Sequence, residues 1–147
     1  MNSTWTVRQA RPTDRHVVAR HRYFKADDKA EDCDCYADWL HTRIGQEAYV
    51  GRLAICANEV IGGAGCVLLD WGPIRGTPSS LRARIVNVFT DPRWRRKGIA
   101  RTLVSEVIGD CEQRGVRSFS LGATADAEDL YRALGFVRQE SEMFLRR

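Results

Sequence analysis

The sequence has no apolar run long enough to cross a membrane. Its longest mostly apolar stretch, residues 60–69 (VIGGAGCVLL), is about half the length of a membrane-spanning helix. Residues 1–14 lack the apolar segment of a secretory signal. Five cysteines, an odd number, do not suit a disulfide framework. We therefore expect a cytoplasmic protein with reduced thiols and no membrane partner.

Patterns of metal ligands are also scarce. Cys33 and Cys35 have no second cysteine pair at ligand spacing, and Cys33 falls on the apolar stripe of a predicted helix. Core packing explains that residue better than metal binding does. His16, His21 and His41 are scattered and are interpreted as surface or boundary residues. We predict no metal site.

Two kinds of nucleotide site can be set aside. There is no G-x-x-x-x-G-K-[ST] motif, and residues 62–65 (GGAG) lie inside a strand pattern that no helix follows. The net charge of +4 is modest for a nucleic-acid-binding protein. The basic run between Arg82 and Arg101 contains Phe89 and Trp94 but no interleaved series of aromatic stacking platforms. This pattern disfavours nucleic acid as a partner, although a small nucleic-acid-binding protein stays as an alternative.

The pattern of apolar residues predicts an α/β fold. A chain of 147 residues suits one domain with a single core, so residues 1–147 are taken as one unit. The predicted order is β-α-α-β-β-β-α-β-α-β(-β), a mixed sheet with helices on its faces. Strands are predicted over 5–10, 48–56, 59–69, 82–90 and 116–123, helices over 17–23, 29–44, 99–114 and 126–136, and one or two edge strands over 137–147.

The basic run stands where a strand turns into a helix. The first turn of a helix has N–H groups without intrahelical partners, and the helix dipole adds positive potential, so phosphate oxygens can bind there. Gly98 and Ala100 would let an anion approach the backbone closely. Four cations surround this point: Arg95, Arg96, Lys97 and Arg101. The run alone could equally be a solvated basic loop.

Two motifs decide between these interpretations. Arg95-x-x-Gly98-x-Ala100 matches the [QR]-x-x-G-x-[GA] signature of the GNAT superfamily of acyl-CoA N-acyltransferases. Residues 127–136 (AEDLYRALGF) resemble the second hallmark of that family, L-Y-x-x-x-G-F. Together the motifs cover about 84–136 in the family's order. The resemblance implies a mostly antiparallel sheet whose fourth and fifth strands splay apart.

The resemblance also implies acetyl-CoA as the cosubstrate, held between the splayed strands. The pantetheine arm would run along the fourth strand, and the pyrophosphate would sit on the N–H groups at the start of the third helix. Relatives often have an asparagine at the position of Thr124, whose hydroxyl could still bond to the cofactor. The implied cofactor-binding residues are Val88, Phe89, Thr90, Arg95, Arg96, Lys97, Gly98, Ile99, Ala100, Arg101 and Thr124.

The implied activity is that of an N-acetyltransferase in which an amine attacks the thioester directly. A backbone N–H at Val88 or Phe89 would stabilise the oxyanion, and Tyr131 stands at the family's general-acid position. Without the motif, Tyr131 would be interpreted as a core aromatic. Some relatives carry a glutamate base on the fourth strand where this chain has Arg84, so no base is assigned and a water relay stays open.

An acidic cluster follows the first predicted helix: Asp27, Asp28, Glu31, Asp32, Asp34 and Asp38. In relatives this region usually lines the acceptor pocket, and an acidic rim would attract a small cationic metabolite or an antibiotic amine. The alternative is a solvated helix face. A protein amine as the acceptor and a catalytically silent domain that senses acyl-CoA are the other functional alternatives. A homodimer through the late strands, as in many relatives, is also left open.

Overall fold

A computed structural model describes residues 4–73, 75–76 and 78–147. Its elements follow the predicted order as far as the fourth helix, in the order β1-α1-α2-β2-β3-β4-α3-β5-α4. Short 3-10 turns precede α1, α3 and α4. The strands are β1 (Thr6–Gln9), β2 (Tyr49–Cys56), β3 (Glu59–Asp70), β4 (Leu81–Thr90) and β5 (Ser118–Ser120). The helices are α1 (Arg15–Arg22), α2 (Ala30–Gly45), α3 (Ile99–Glu112) and α4 (Glu128–Ala133).

The strands form one sheet in the order β1-β2-β3-β4-β5. Every neighbouring pair is antiparallel except β4 and β5, which run parallel. Their pairing covers only 82–84 of β4 and 118–120 of β5, whereas β4 continues to Thr90. The second half of β4 therefore leaves its β5 side without a strand partner. The predicted splay between the fourth and fifth strands is confirmed.

Two apolar cores pack on the two faces of the sheet. On one face α3 buries Leu103, Val104 and Val107, which lie on the predicted stripe, against β3 and β4. On the other face α2 packs over β2 and α1 packs over β3 and β4, and Leu40 and Leu53 are almost fully buried there. Since both faces are covered near β4, the gap beyond its last pair with β5 is bounded by helices on either side.

The predicted edge strands over 137–147 are wrong. These residues form no strand in the described structure, and four apolar side chains of the segment are largely exposed: Val137, Met143, Phe144 and Leu145. A strand is stable only when a neighbour pairs with its backbone. β5 is also shorter than predicted and pairs with β4 over three residues. Within the described residues, the sheet has five strands and none of them pairs with this segment.

The glycines at 62–65 serve packing within β3 and not phosphate binding. A Cβ on Gly65 would overlap the hydroxyl of Tyr49, and one on Gly63 would stand 2.7 Å from Nδ1 of His21. The absence of side chains here lets both rings lie directly on the strand. No helix within the described residues has the length and apolarity needed to span a bilayer.

Candidate active site

A cleft of about 1040 Å³ opens where β4 and β5 part. The predicted cofactor residues line this cleft with one exception, and Tyr131 joins them there. The exception is Lys97, whose ammonium lies over the ring of Trp94 at 5.5 Å from the centroid. The residues brought together are Val88, Phe89, Thr90, Arg95, Arg96, Gly98, Ile99, Ala100, Arg101 and Thr124.

Gly98 sets the geometry at the start of α3. It is the N-cap residue and has a φ of +76°, a left-handed conformation that side chains disfavour. No side chain caps this helix end. The N–H of Thr102 donates to the carbonyl of Gly98 at 3.1 Å, so the N–H groups of residues 99–101 precede the first intrahelical bond. These donors lie along the wall of the cleft.

The cations around this helix end differ in whether they form ion pairs with carboxylates. Arg93 is held by Asp91, with 2.9 Å between Nη2 and Oδ2, and lies 3.9 Å from Glu59. By contrast, no salt bridge among the described residues involves the four predicted cations, which are all exposed: Arg95, Arg96, Lys97 and Arg101. None of them therefore has a carboxylate of the described chain within 4.0 Å, and their combined charge favours a multivalent anion at this end of the cleft.

Asn87 forms a bulge in β4 that the sequence analysis missed. Its φ is +57°, and the register with β3 shifts between Gly63 and Gly65. The carboxamide Nδ2 donates to the hydroxyls of Tyr36 and Tyr49, each at 2.9 Å. Its Oδ1 is buried without a partner in the described structure. The bulge places Val88 and Phe89, the predicted oxyanion donors, directly after a residue fixed to two tyrosines.

His21 is buried, and the prediction of a surface or boundary position is wrong. The side chain is 7% exposed and its ring stacks on Phe89, with 4.6 Å between centroids and an interplanar angle of 11°. Burial, helped by the charge of Arg20, lowers the pKa of His21 to about 4. The imidazole is therefore neutral at neutral pH and packs as an aromatic wall behind β4. Phe24 also packs against Phe89, with 5.8 Å between ring centroids, and lines the cleft.

Tyr131 is both a core residue and a cleft residue. It is 7% exposed, and its ring contacts Phe136 edge to face at 6.0 Å. Burial raises its pKa above the usual value of tyrosine, so the hydroxyl carries its proton throughout the neutral range. Tyr131 also lines a second cavity of about 410 Å³ on the far side of Leu121 and Gly122. The hydroxyl-bearing ring thus stands between two spaces.

The acidic cluster does not face the cleft as one surface. On α2, Asp32 precedes Tyr36 by four residues and shares its side of the helix. Asp34 and Asp38 lie about half a turn away, on the exposed outer side. In the loop before α2, Asp28 accepts a hydrogen bond from the backbone N–H of Lys25 at 2.8 Å. None of the cluster's carboxylates is among the residues that line the cleft, and the cluster is divided between the Tyr36 side of α2, its outer side and the loop before it.

Within the residues that the structure describes, no group of three or more histidine, cysteine, aspartate or glutamate side chains is placed to hold a metal ion. The chemistry of the cleft is that of backbone donors, a buried tyrosine and uncompensated cations.

A splayed sheet with an uncapped helix end in the gap is the arrangement that the two sequence motifs predicted. Residues 12–136 match the family described as Acetyltransferase (GNAT) family. The chain belongs to this family. Comparison with curated protein sequences gives no match.

Solved structures share the fold over nearly the whole chain. A GCN5-related N-acetyltransferase from Ralstonia eutropha is 26% identical, with a TM-score of 0.85 and coverage of 98% of this chain and 99% of that one. A predicted acetyltransferase from Clostridium acetobutylicum, solved with acetyl-CoA, is 18% identical, with a TM-score of 0.89 over 97% and 96%. An aminoglycoside N-acetyltransferase in complex with CoA is 18% identical, with a TM-score of 0.78 over 100% and 97%. This GNAT protein therefore has the acetyltransferase fold of that family.

Proposed function

We propose that this GNAT protein transfers the acetyl group of acetyl-CoA to a primary amine by direct attack of the amine on the thioester. The observation that carries the proposal is the uncapped start of α3 inside the splay of β4 and β5. Three features surround that point. They are the left-handed Gly98, the N–H groups that precede the first intrahelical bond, and four exposed cations. A diphosphate satisfies all three features at once.

The rest of the cofactor would follow from this anchor. β4 beyond residue 84 has a free side where β5 has turned away, and the pantetheine amides can bond there as a substitute strand. This direction leads from the diphosphate at Gly98 along Thr90, Phe89 and Val88 to the bulge at Asn87. The thioester would then lie beside the bulge and near Tyr131.

The transfer itself requires three groups. The nitrogen lone pair forms a bond to the thioester carbon, while a backbone N–H after the bulge at Asn87 stabilises the oxyanion. The carbon–sulfur bond then breaks, the nitrogen loses a proton to the water relay, and the sulfur takes a proton from the Tyr131 hydroxyl, which the relay then reprotonates. The products are the N-acetyl amine and CoA thiol. Arg84, which replaces the glutamate of some relatives, has no acceptor for a proton, so a water relay serves as the base.

We further propose a small cationic metabolite or an antibiotic amine as the acceptor. The carboxylates on the Tyr36 side of α2 and in the loop before it would attract a cation, and two proteins of the same fold are described as aminoglycoside acetyltransferases. Two alternatives are tested by the experiment below: a protein amine as the acceptor, and a catalytically silent domain that senses acyl-CoA.

The test combines binding with turnover. Thermal unfolding is followed with acetyl-CoA, CoA and S-acetylpantetheine, which lacks the diphosphate and the nucleotide. Acetyl-CoA and CoA at a hundred times their Kd should stabilise the protein by about 2.7 kcal/mol, while S-acetylpantetheine at equal concentration should have little effect. Thiol release is then measured with a panel of small amines, aminoglycosides and peptides. If acetyl-CoA binds but no acceptor causes thiol release, the protein is a sensor and not an enzyme. If S-acetylpantetheine stabilises the protein as much as acetyl-CoA does, the diphosphate site is contradicted.

A further inference from the structure

The second cavity beside Tyr131 contains a guanidinium that the proposed reaction leaves without a role. Arg84 forms the last pair of β4 with β5, opposite Ser120, directly before the strands part. Its Nη2 lies 3.5 Å from the point where a Cβ on Gly122 would stand. Gly122 and Tyr131 line both the cleft and the second cavity. The Arg84 guanidinium therefore stands at the junction of the two spaces.

The other cations of this cavity are already paired. Glu128 accepts from Nη2 of Arg132 at 2.9 Å and from Nε of Arg138 at 3.0 Å. These two partners lower the pKa of Glu128 to about 2, so its carboxylate is ionised and is already paired with both arginines. Among the described residues, Arg84 has no salt-bridge partner within 4.0 Å.

The neighbouring arginine on the same strand shows the contrast. Arg82 lies two residues earlier, so its side chain leaves β4 on the same face as that of Arg84. Its guanidinium lies over the ring of Trp71 at 5.3 Å and does not line either space. Arg84 is half-buried and lines the second cavity.

We propose that Arg84 binds a carboxylate of the acceptor, so that the acceptor is an amine that also carries a carboxylate, as an amino acid does. This inference rests on the proposed transferase function; among the acceptors proposed above it selects small amines that carry a carboxylate, in place of antibiotic amines such as the aminoglycosides. A half-buried guanidinium is stabilised by a planar, bidentate anion, and a carboxylate matches its geometry. A cation at this place also repels an acceptor whose groups are all ammonium. With the carboxylate on Arg84, the amino nitrogen of the acceptor can reach toward Tyr131 and the thioester.

Matched pairs of compounds that differ only in a carboxylate provide the test. The pairs are L-lysine with 1,5-diaminopentane and L-phenylalanine with 2-phenylethylamine. For the wild-type protein, kcat/KM in the thiol-release assay should be about 10- to 100-fold higher for the amino acid of each pair. In Arg84→Gln this preference should fall below about threefold, with an unchanged KM for acetyl-CoA.

Two control variants separate recognition from structure. Arg82→Gln removes a cation from the same strand and face and should keep the preference. Glu142→Gln removes the remaining carboxylate of the cavity lining. If Arg84 served only to hold this tail carboxylate, Glu142→Gln would lose the preference as Arg84→Gln does, and the inference would be wrong.

Calorimetry of the CoA complex distinguishes a failure of this inference from a failure of the transferase proposal. L-lysine and L-phenylalanine are titrated into wild type and Arg84→Gln at saturating CoA, where no transfer occurs. Binding that weakens at least tenfold in Arg84→Gln supports the inference even if no amine is acetylated. Binding that is equal in both proteins or absent from both, or a wild-type enzyme that uses the diamine as well as lysine, overturns it.

Discussion

At the entrance of α3 the groups facing the cleft are backbone N–H groups, while side chains face the cleft at Asn87, which is bonded to Tyr36 of α2, and the adjoining second cavity at Arg84. The first surface, here called the nucleotide side, depends on the left-handed Gly98 and on a helix end without a cap. The second, the acceptor side, depends on which side chains leave β4 and α2. Both surfaces border the same splay of β4 and β5.

The difference teaches how one fold can keep its cofactor and change its acceptor. Backbone donors require only residues that permit the left-handed turn before α3. A short motif with glycine at one position is therefore enough to encode the nucleotide side. Side chains on the acceptor side can change without altering the chain path. Arg84 in place of the glutamate of some relatives is such a change, because the strand and its register need neither residue.

Tyr131 lies where the two sides meet, and its replacement should have the largest effect. In Tyr131→Phe the ring keeps its contact with Phe136, while the proton for the departing sulfur is lost. We expect kcat to fall about 100- to 1000-fold with an unchanged KM for acetyl-CoA, because general-acid catalysis contributes on this scale. Steady-state thiol release measures this, with thermal unfolding as the control for folding. A kcat within threefold of the wild type would make Tyr131 a core residue alone.

The nucleotide side should respond next most strongly. A Cβ at Gly98 meets no atom within 4 Å, so Gly98→Val has room in the fold but places methyl groups in the cleft. Losing one or two charge-assisted bonds to the diphosphate, about 2–3 kcal/mol, should weaken CoA binding about 30- to 100-fold. Calorimetric titration of CoA measures the change.

Gly115 provides the matched control for backbone strain. It also has a positive φ, +85°, and open space at its Cβ position, but it follows the far end of α3. Gly115→Val and Gly98→Val should both lose stability, because left-handed backbone costs about 1–2 kcal/mol in any residue with a side chain. Only Gly98→Val should lose CoA affinity. Similar losses of affinity in both variants would trace the effect to strain and contradict the anion site.

The same contrast explains what the sequence could and could not predict. Element order was accessible because helix stripes are local signals, whereas the splay was expected only from the resemblance of two short motifs to the GNAT family. The bulge at Asn87 was missed because no residue type in the sequence of β4 marks the position where the strand departs from regular pairing. His21 was placed at the surface because its burial depends on Gly63, which is distant in sequence and lets the ring lie on β3. The prediction of strands over 137–147 was wrong because a strand needs a neighbour, and no strand of the described structure pairs with these residues.

The acceptor side should show the smallest effect, at the acidic cluster. Asp32 shares the Tyr36 side of α2 and Asp27 lies three residues after Phe24 of the cleft wall, whereas Asp34 and Asp38 lie on the outer side. The double variant Asp27→Asn with Asp32→Asn should raise the KM for 1,5-diaminopentane about two- to fivefold, since exposed charges each contribute up to about 1 kcal/mol. Asp34→Asn with Asp38→Asn removes the same net charge and should raise it less. Equal increases in both pairs would mean that the cluster acts only through the overall field of the protein, and no increase in either would make it a solvated helix face. At high salt the difference between the pairs should shrink, because screening acts on exposed charges.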